Sequence, residues 1–216
     1  MTPKDLLTAL ARIKAVPVIR AAKLAHATLA AHWLAEADLS IVEMTLTTPG
    51  VFEGIAELRR QPGLTVGAGT ILSAADARLA IAAGSQFLVT PCWVDGVIEL
   101  ARAANIAALI GTANPSEIWR AHMAGAAAVK LFPAATLGGP AYVKHVRAVF
   151  PDVLMMPTGG VTVETAADYL VAGAFCVGLG GELAPVAALA AGDKATVVGN
   201  ARKLLARLGP PAAIEV

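Results

Sequence analysis

The stretch "QFLVTPCWVDGVIELARAANIAALIGT" (Gln86–Thr112) contains the structural unit that the rest of the chain repeats. A short apolar run opens it, a helix-like segment rich in alanine and leucine follows, and a second apolar run closes it. Apolar runs that do not alternate with polar residues are typical of parallel strands covered by helices on both faces. The stretch therefore predicts one strand–helix–strand unit of a parallel α/β fold.

Apolar runs of this kind recur at regular intervals, each beginning 20–26 residues after the previous one. The eight runs are Val16–Arg20, Ile41–Leu46, Thr65–Thr70, Gln86–Pro91, Ala108–Thr112, Ala128–Phe132, Leu154–Gly159 and Phe175–Gly180. Eight strand–helix units in 216 residues fit a (β/α)8 TIM barrel, so we expect one barrel domain over residues 1–216. A helix over roughly residues 3–15 precedes the first run and would cap the barrel. A doubly wound open sheet is the alternative fold, although no strand leads into a G-x-G-x-x-G dinucleotide pattern.

The composition restricts the class of protein. With 56% hydrophobic and 15% charged residues the chain suits a large core, and a net charge of +1 offers no broad attraction to nucleic acid or anionic membranes. No stretch has the pattern of a signal peptide or of a membrane span. We therefore expect a cytoplasmic protein with no nucleic-acid or membrane partner. Cys92 and Cys176 lie in apolar runs, and we expect both to be buried free thiols.

Two charged residues lie inside predicted strands, with apolar residues on both sides. Glu43 falls in the second run and Lys130 in the sixth. A buried Glu–Lys pair that only fixes geometry is seldom net stabilising, whereas buried charges cluster at active sites. Burial disfavours the ammonium form of a lysine, and a free amine can condense with a ketone to form a Schiff base. A carboxylate beside it can then move protons to and from the imine.

Glycines follow two of the predicted strands at the ends where barrels carry their active sites. Loops after strands 7 and 8 of a TIM barrel often hold a phosphate on backbone N–H groups. Here those loops contain Gly159 and Gly160 after the seventh run, and Gly180 and Gly181 at the end of the eighth. The two turns together predict a phosphate site.

Four motifs occur in the order and spacing of one known family: VEMTLTTP (42–49), VGAGTIL (66–72), VKLFPA (129–134) and PTGGV (157–161). With them the chain resembles the 2-keto-3-deoxy-6-phosphogluconate (KDPG) aldolase family, which includes 4-hydroxy-2-oxoglutarate (KHG) aldolases. The resemblance implies a TIM barrel and a class I aldolase of the Entner-Doudoroff pathway that needs no metal or other cofactor. It also implies a homotrimer.

The resemblance assigns roles to individual residues. Lys130 matches the Schiff-base lysine and Glu43 the general acid/base. Thr70, Pro91 and Phe132 match positions around the pyruvate part of the substrate, and the two glycine turns match the phosphate-binding turns. The implied reaction breaks the C3–C4 bond of KDPG to give pyruvate and glyceraldehyde 3-phosphate; KHG would give pyruvate and glyoxylate.

The chain departs from the family pattern at three places. One is Ile110–Gly111 before the sixth run, where the family usually reads PG, and this change affects the shape of that wall. Many members carry a carboxylate-binding arginine where this chain has Thr47, and we expect Arg20 to take its place. A serine of the phosphate turn is replaced by Gly181, so phosphate binding would rest more on backbone N–H groups. Thr158 is similar to gluconate-type enzymes, whereas the galactonate-type branch tends to carry valine. This favours KDPG, with 2-keto-3-deoxy-6-phosphogalactonate as the alternative substrate.

Two other classes of function stay open at the level of sequence. A phosphosugar isomerase or epimerase would use Glu43 as a base without covalent chemistry, and it would give no trapped adduct on Lys130. A non-catalytic metabolite-binding barrel would bind a pyruvate-like ligand without releasing pyruvate from KDPG.

Overall fold

The computed structural model describes residues 1–209, which contain eight strands and ten helices. The strands are β1 Ala15–Ile19, β2 Ile41–Thr45, β3 Thr65–Gly69, β4 Phe87–Val89, β5 Ala107–Thr112, β6 Ala128–Leu131, β7 Met155–Pro157 and β8 Val177–Leu179. The helices are α1 Pro3–Ile13, α2 Leu24–Glu36, α3 Val51–Leu58, α4 Ala74–Ala82, α5 Val97–Ala103, α6 Pro115–Ala124, α7 Gly139–Val149, α8 Ala166–Val171, α9 Val186–Ala191 and α10 Lys194–Leu208.

The eight strands form one parallel sheet in the order β7-β6-β5-β4-β3-β2-β1-β8. The two ends of this order meet in a parallel bridge between Thr158 and Gly178. The N–H of Phe175 also donates to the carbonyl of Met155, at 2.9 Å. The sheet therefore closes on itself, which confirms the predicted (β/α)8 barrel and excludes the open sheet.

Helix α1 is the predicted capping helix. It begins at a capping box, in which the Thr2 hydroxyl accepts from the N–H of Asp5 (3.2 Å) and the Asp5 carboxylate accepts from the N–H of Thr2 (2.9 Å). It ends where Lys14 takes a left-handed backbone, and β1 starts at the next residue. Because α1 leads into the amino end of β1, it lies opposite the carboxyl ends of the strands. Its Leu6 and Leu10 are fully buried in the core.

The strands before the glycine turns are shorter than the sequence predicts. We expected strand 7 over Leu154–Gly159, but β7 ends at Pro157. Gly159 and Gly160 have φ values of 89° and 77°, a left-handed backbone that an extended strand does not contain. Beyond β7 only the bridge from Thr158 to Gly178 remains, and the chain then forms a turn at the carboxyl end of the barrel.

The two cysteines lie in different surroundings. Cys176 is fully buried, and burial raises the pKa of its thiol. Cys92 is exposed, so the prediction that both thiols are buried is wrong for this residue. The reason is that β4 ends at Val89 and the following loop carries Cys92 to the surface. No helix within residues 1–209 combines the length and the apolar character needed to cross a membrane.

Gly67 on β3 is required by the packing of the barrel wall. A Cβ there would overlap the ring of Phe87, which is fully buried on β4. We expect Gly67→Ala to lower the free energy of unfolding by about 1–3 kcal/mol, the usual cost of an overpacked core.

Gly199→Ala is the matched control for this change. Gly199 lies inside α10, and apart from its neighbours in that helix no atom of residues 1–209 lies within 4 Å of a Cβ built on it. Alanine in a helix interior should raise the free energy of unfolding by about 0.5–1 kcal/mol. Urea unfolding of both variants measures the difference; equal effects of the two changes would contradict the packing described for Gly67.

Candidate active site

Lys130 and Glu43 meet inside the barrel. Their strands, β6 and β2, stand opposite each other in the closed ring of eight, so their side chains can touch only by pointing at the barrel axis. The Nζ atom of Lys130 lies 3.5 Å from Oε1 of Glu43. The side chain of Lys130 is 5% exposed and that of Glu43 is 0% exposed. The structure thus brings together, shielded from solvent, the two charged residues that the sequence singled out.

Gly69 provides the space that the Glu43 carboxylate occupies. It is the last residue of β3, the neighbour of β2, and a Cβ on it would overlap that carboxylate. Both carboxylate oxygens are buried and accept no hydrogen bond from residues 1–209. Most buried polar groups are hydrogen-bonded, so this one departs from the rule. The lone pairs of Glu43 are therefore available to accept a proton from a molecule that enters the barrel.

Gly111 lets the chain after β4 pass close to Lys130. It pairs with Lys130 in the β5–β6 ladder, and a Cβ on it would overlap the backbone of Pro91 and Cys92. The N–H of Gly111 donates to the hydroxyl of Thr90, at 3.0 Å, which fixes the crossing. Pro91 therefore lies next to β5 and β6, and Lys130 is on β6.

Phe132 and Thr70 lie close to the two charged residues. The Nζ atom of Lys130 is 5.5 Å from the ring centroid of Phe132, whose side chain is partly exposed. Thr70 directly follows Gly69 and has a φ of 59°, which is unusual for a β-branched residue. Backbone conformations of this kind persist where the surrounding structure imposes them, and they cluster at functional sites.

Arg20 and Thr47 lie at the ends of neighbouring strands, and two buried threonines join these ends. The hydroxyl of Thr45 donates to the carbonyl of the residue before Arg20, at 3.0 Å. The hydroxyl of Thr48 accepts from the N–H of Ala21, the residue after Arg20, at 3.2 Å. Arg20 is exposed and makes no ion pair within residues 1–209. The backbone at Arg20 is therefore held beside the end of β2, and its guanidinium is available to an anion.

The two glycine turns are adjacent, because β7 and β8 are neighbours in the closed barrel. Thr158 is buried between them, and a Cβ on Gly178 would overlap its hydroxyl. Four backbone N–H groups of these turns donate to no acceptor within residues 1–209: those of Gly160, Val161, Gly180 and Gly181. Unpaired N–H groups on successive residues of a turn are the donors with which backbone nests bind anions.

Sequence reasoning missed Gly69, whereas the departure at Ile110–Gly111 already pointed to the shape of the wall. Both glycines stand inside strands, and a glycine there is a signal of close approach that could have identified their contacts. The threonine contacts with the β1 end had no signal in the sequence, since they join residues on different strands. The residues that the structure describes contain no group of three or more His, Cys, Asp or Glu side chains that could hold a metal ion.

Known proteins resemble this chain over most of its length. The sequence model of the KDPG and KHG aldolase family matches residues 7–199. The 2-dehydro-3-deoxy-phosphogluconate aldolase of Pseudomonas aeruginosa is 38% identical over 208 residues, which are 94% of this chain and 92% of that protein.

Two solved structures have the same fold. One is the KDPG aldolase of Legionella pneumophila with pyruvate captured at low pH as a covalent carbinolamine intermediate. Its TM-score is 0.85 at 26% identity, over 94% of this chain and 98% of that chain. The other is a cube-shaped, porous protein cage designed by fusing symmetric oligomeric domains. Its TM-score is 0.82 at 26% identity, over 90% of this chain and 72% of that chain.

The family match spans nearly the whole barrel and includes both strands that carry the buried charged pair. The chain belongs to the KDPG and KHG aldolase family.

Proposed function

We propose that this chain is a class I aldehyde-lyase that cleaves KDPG to pyruvate and glyceraldehyde 3-phosphate through a Schiff base on Lys130. The observation that carries the proposal is the buried pair, with the amine 3.5 Å from the carboxylate of Glu43. The name of the Pseudomonas aeruginosa relative supports the substrate. The Legionella pneumophila structure supports covalent chemistry, because a carbinolamine is the adduct of an amine and a ketone.

The first half of the reaction builds the imine. The Nζ atom of Lys130 attacks the C2 ketone of KDPG to form a carbinolamine, which loses water to become a protonated imine. Glu43 takes the proton of the C4 hydroxyl, and the C3–C4 bond breaks. The electron pair of that bond moves to C3 and the imine nitrogen, so an enamine remains on Lys130 and glyceraldehyde 3-phosphate leaves.

The second half returns the enzyme to its starting state. Glu43 gives its proton to C3 of the enamine, which regenerates the imine. Water then hydrolyses the imine to pyruvate and the free amine of Lys130. A single carboxylate serves as base and then as acid, so it must stay within reach of both C4 and C3. The Glu43 carboxylate accepts no hydrogen bond from residues 1–209, which supports this double role.

The loops around the pair would bind the two ends of the substrate. For the pyruvate end, the exposed guanidinium of Arg20 would hold the carboxylate, with the hydroxyl of Thr47 beside it. Thr70, Pro91 and Phe132 would enclose the three-carbon part. Arginine pairs with carboxylates through two parallel hydrogen bonds, so it would also orient the ketone toward Lys130.

The phosphate end would bind to the backbone N–H groups of Gly159, Gly160, Gly180 and Gly181, of which the last three donate to no acceptor within residues 1–209. Thr158, buried at the first of these turns, supports the gluconate configuration over the galactonate one. KHG offers the same ketone and leaving hydroxyl without a phosphate, so the same steps would release pyruvate and glyoxylate from it.

Turnover of KDPG tests the proposal. We expect pyruvate release from KDPG by the parent protein, unchanged by EDTA, and a loss of roughly 10³-fold or more in kcat for Lys130→Ala. The matched control is Lys144→Ala, which removes an exposed lysine of α7 and should leave kcat at the parent value. Activity that survives Lys130→Ala and disappears with EDTA would rule out Schiff-base chemistry. Ligand binding without any pyruvate release would favour a binding module.

We also propose that the chain forms a homotrimer. The designed cage supports oligomerisation, since it was built from symmetric oligomeric domains and matches this fold. An apolar surface on α6 and α7 supports it too, where Trp119 stacks on Phe150 and Met123 and Val149 are exposed. Light scattering of the purified protein should give three times the mass of one chain. A monomer at micromolar concentration would contradict the proposal.

The cytoplasmic location and the independence from metal or cofactor stay predictions.

A further inference from the structure

Glu182 joins three elements at the phosphate end of the barrel. It directly follows Gly181 in the turn after β8. Its Oε2 atom accepts a hydrogen bond from the N–H of Val163, in the loop after β7, at 3.0 Å. Its carbonyl oxygen accepts from the side-chain amide of Asn200 on α10, at 2.9 Å. One residue thus fastens the β8 turn to the β7 loop on one side and to α10 on the other.

The turn after β7 is already fixed from its other side. The N–H of Ala134 donates to the carbonyl of Thr158 at 2.8 Å, and the N–H of Ala135 donates to that of Gly159 at 3.0 Å. A Cβ on Gly160 would overlap the side chain of Ala135. The loop after β6 therefore holds this turn in place, and the β7 turn can serve as a fixed reference for its neighbour.

The turn after β8 has much less support. A Cβ on Gly181 would meet no atom within 4 Å, and the one hydrogen bond inside the turn runs from the N–H of Leu183 to the carbonyl of Gly180. Among the hydrogen bonds of residues 1–209, only that of Glu182 with Val163 joins segment 180–183 to segment 159–163. Glycine-rich backbone has more conformational freedom to lose than any other, so this turn depends on an outside contact for its position.

We propose that Glu182 is a positioning residue that sets the distance between the two glycine turns, so that N–H groups from both can bind one phosphoryl group. The inference rests on the phosphate role given to these turns under the proposed function. A negative side chain beside a phosphate site would be unfavourable if its only effect were electrostatic. Its carboxylate instead accepts a hydrogen bond from a backbone N–H of the opposite loop. The length of the Glu182 side chain, rather than its charge, therefore positions the turn.

Three substitutions separate reach from charge. Glu182→Ala removes the contact, Glu182→Asp keeps the charge but is one methylene too short, and Glu182→Gln keeps an acceptor oxygen at the same reach without the charge. Glu164→Ala is the matched control, because Glu164 is an exposed carboxylate of the β7 loop with no hydrogen bond or ion pair among residues 1–209. Each variant is first checked by thermal unfolding, and its unfolding temperature should match that of the parent protein.

The readout is KM and kcat for KDPG and for its unphosphorylated analogue, 2-keto-3-deoxygluconate. We expect the Ala and Asp variants to raise KM for KDPG about tenfold, the effect of losing one ordinary hydrogen bond, with kcat unchanged. Their KM for the unphosphorylated substrate should stay within about twofold of the parent value. The Gln variant and the Glu164→Ala control should match the parent with both substrates.

Calorimetry with inorganic phosphate repeats the comparison without any turnover. We expect the parent to bind phosphate and the Ala and Asp variants to bind it about tenfold more weakly. Parent-like phosphate binding by Ala and Asp, or a Gln variant as weak as Ala, overturns the role of Glu182 while leaving the aldolase intact. A parent that releases pyruvate but neither binds phosphate nor prefers KDPG overturns the phosphate role of the turns and this inference with it. A parent protein that binds phosphate but releases no pyruvate from KDPG contradicts the proposed function alone.

Discussion

The buried contact between Lys130 and Glu43 constrains the whole barrel. Removing one partner of a buried charged pair costs about 3–5 kcal/mol, a large part of the stability of a domain. Lys130 and Glu43 come from opposite walls, so their contact depends on the strand order and on the radius of the closed sheet. The glycines of the wall follow from the same constraint. Gly69 makes room for the carboxylate, and Gly111 lets the chain after β4 pass beside the lysine.

The rest of the site divides between strands and turns. The two charged groups stand on strands, where the register of the sheet fixes them to within the precision that covalent and proton-transfer steps need. The groups assigned to the anionic ends of the substrate stand on loops, and hydrogen bonds tie those loops together in pairs. Thr45 and Thr48 join the ends of β1 and β2, and Glu182 joins the turn after β8 to the loop after β7. The loops thereby take their geometry from the barrel.

The sequence predicted the barrel and the buried pair because both leave a local signal. Apolar runs at a regular interval report parallel strands, and a charge inside such a run, as at Lys130, stands out without knowledge of its neighbours. Contacts between segments leave no such signal. Glu182 and Val163 are 19 residues apart, and nothing in either stretch indicates that they meet. The same limit explains Cys92: its apolar neighbours indicated burial, but only the position of the β4 end decides that it reaches the surface.

The central claim is that the buried amine of Lys130, paired with Glu43, forms a covalent bond to a keto acid. Borohydride reduction in the presence of pyruvate, followed by mass spectrometry of the digested protein, tests it most directly. A reduced pyruvate adduct on the peptide that contains Lys130, and on no other lysine, is the predicted result. An unmodified Lys130, or an adduct distributed over the exposed lysines, would contradict the claim and would favour non-covalent chemistry at Glu43.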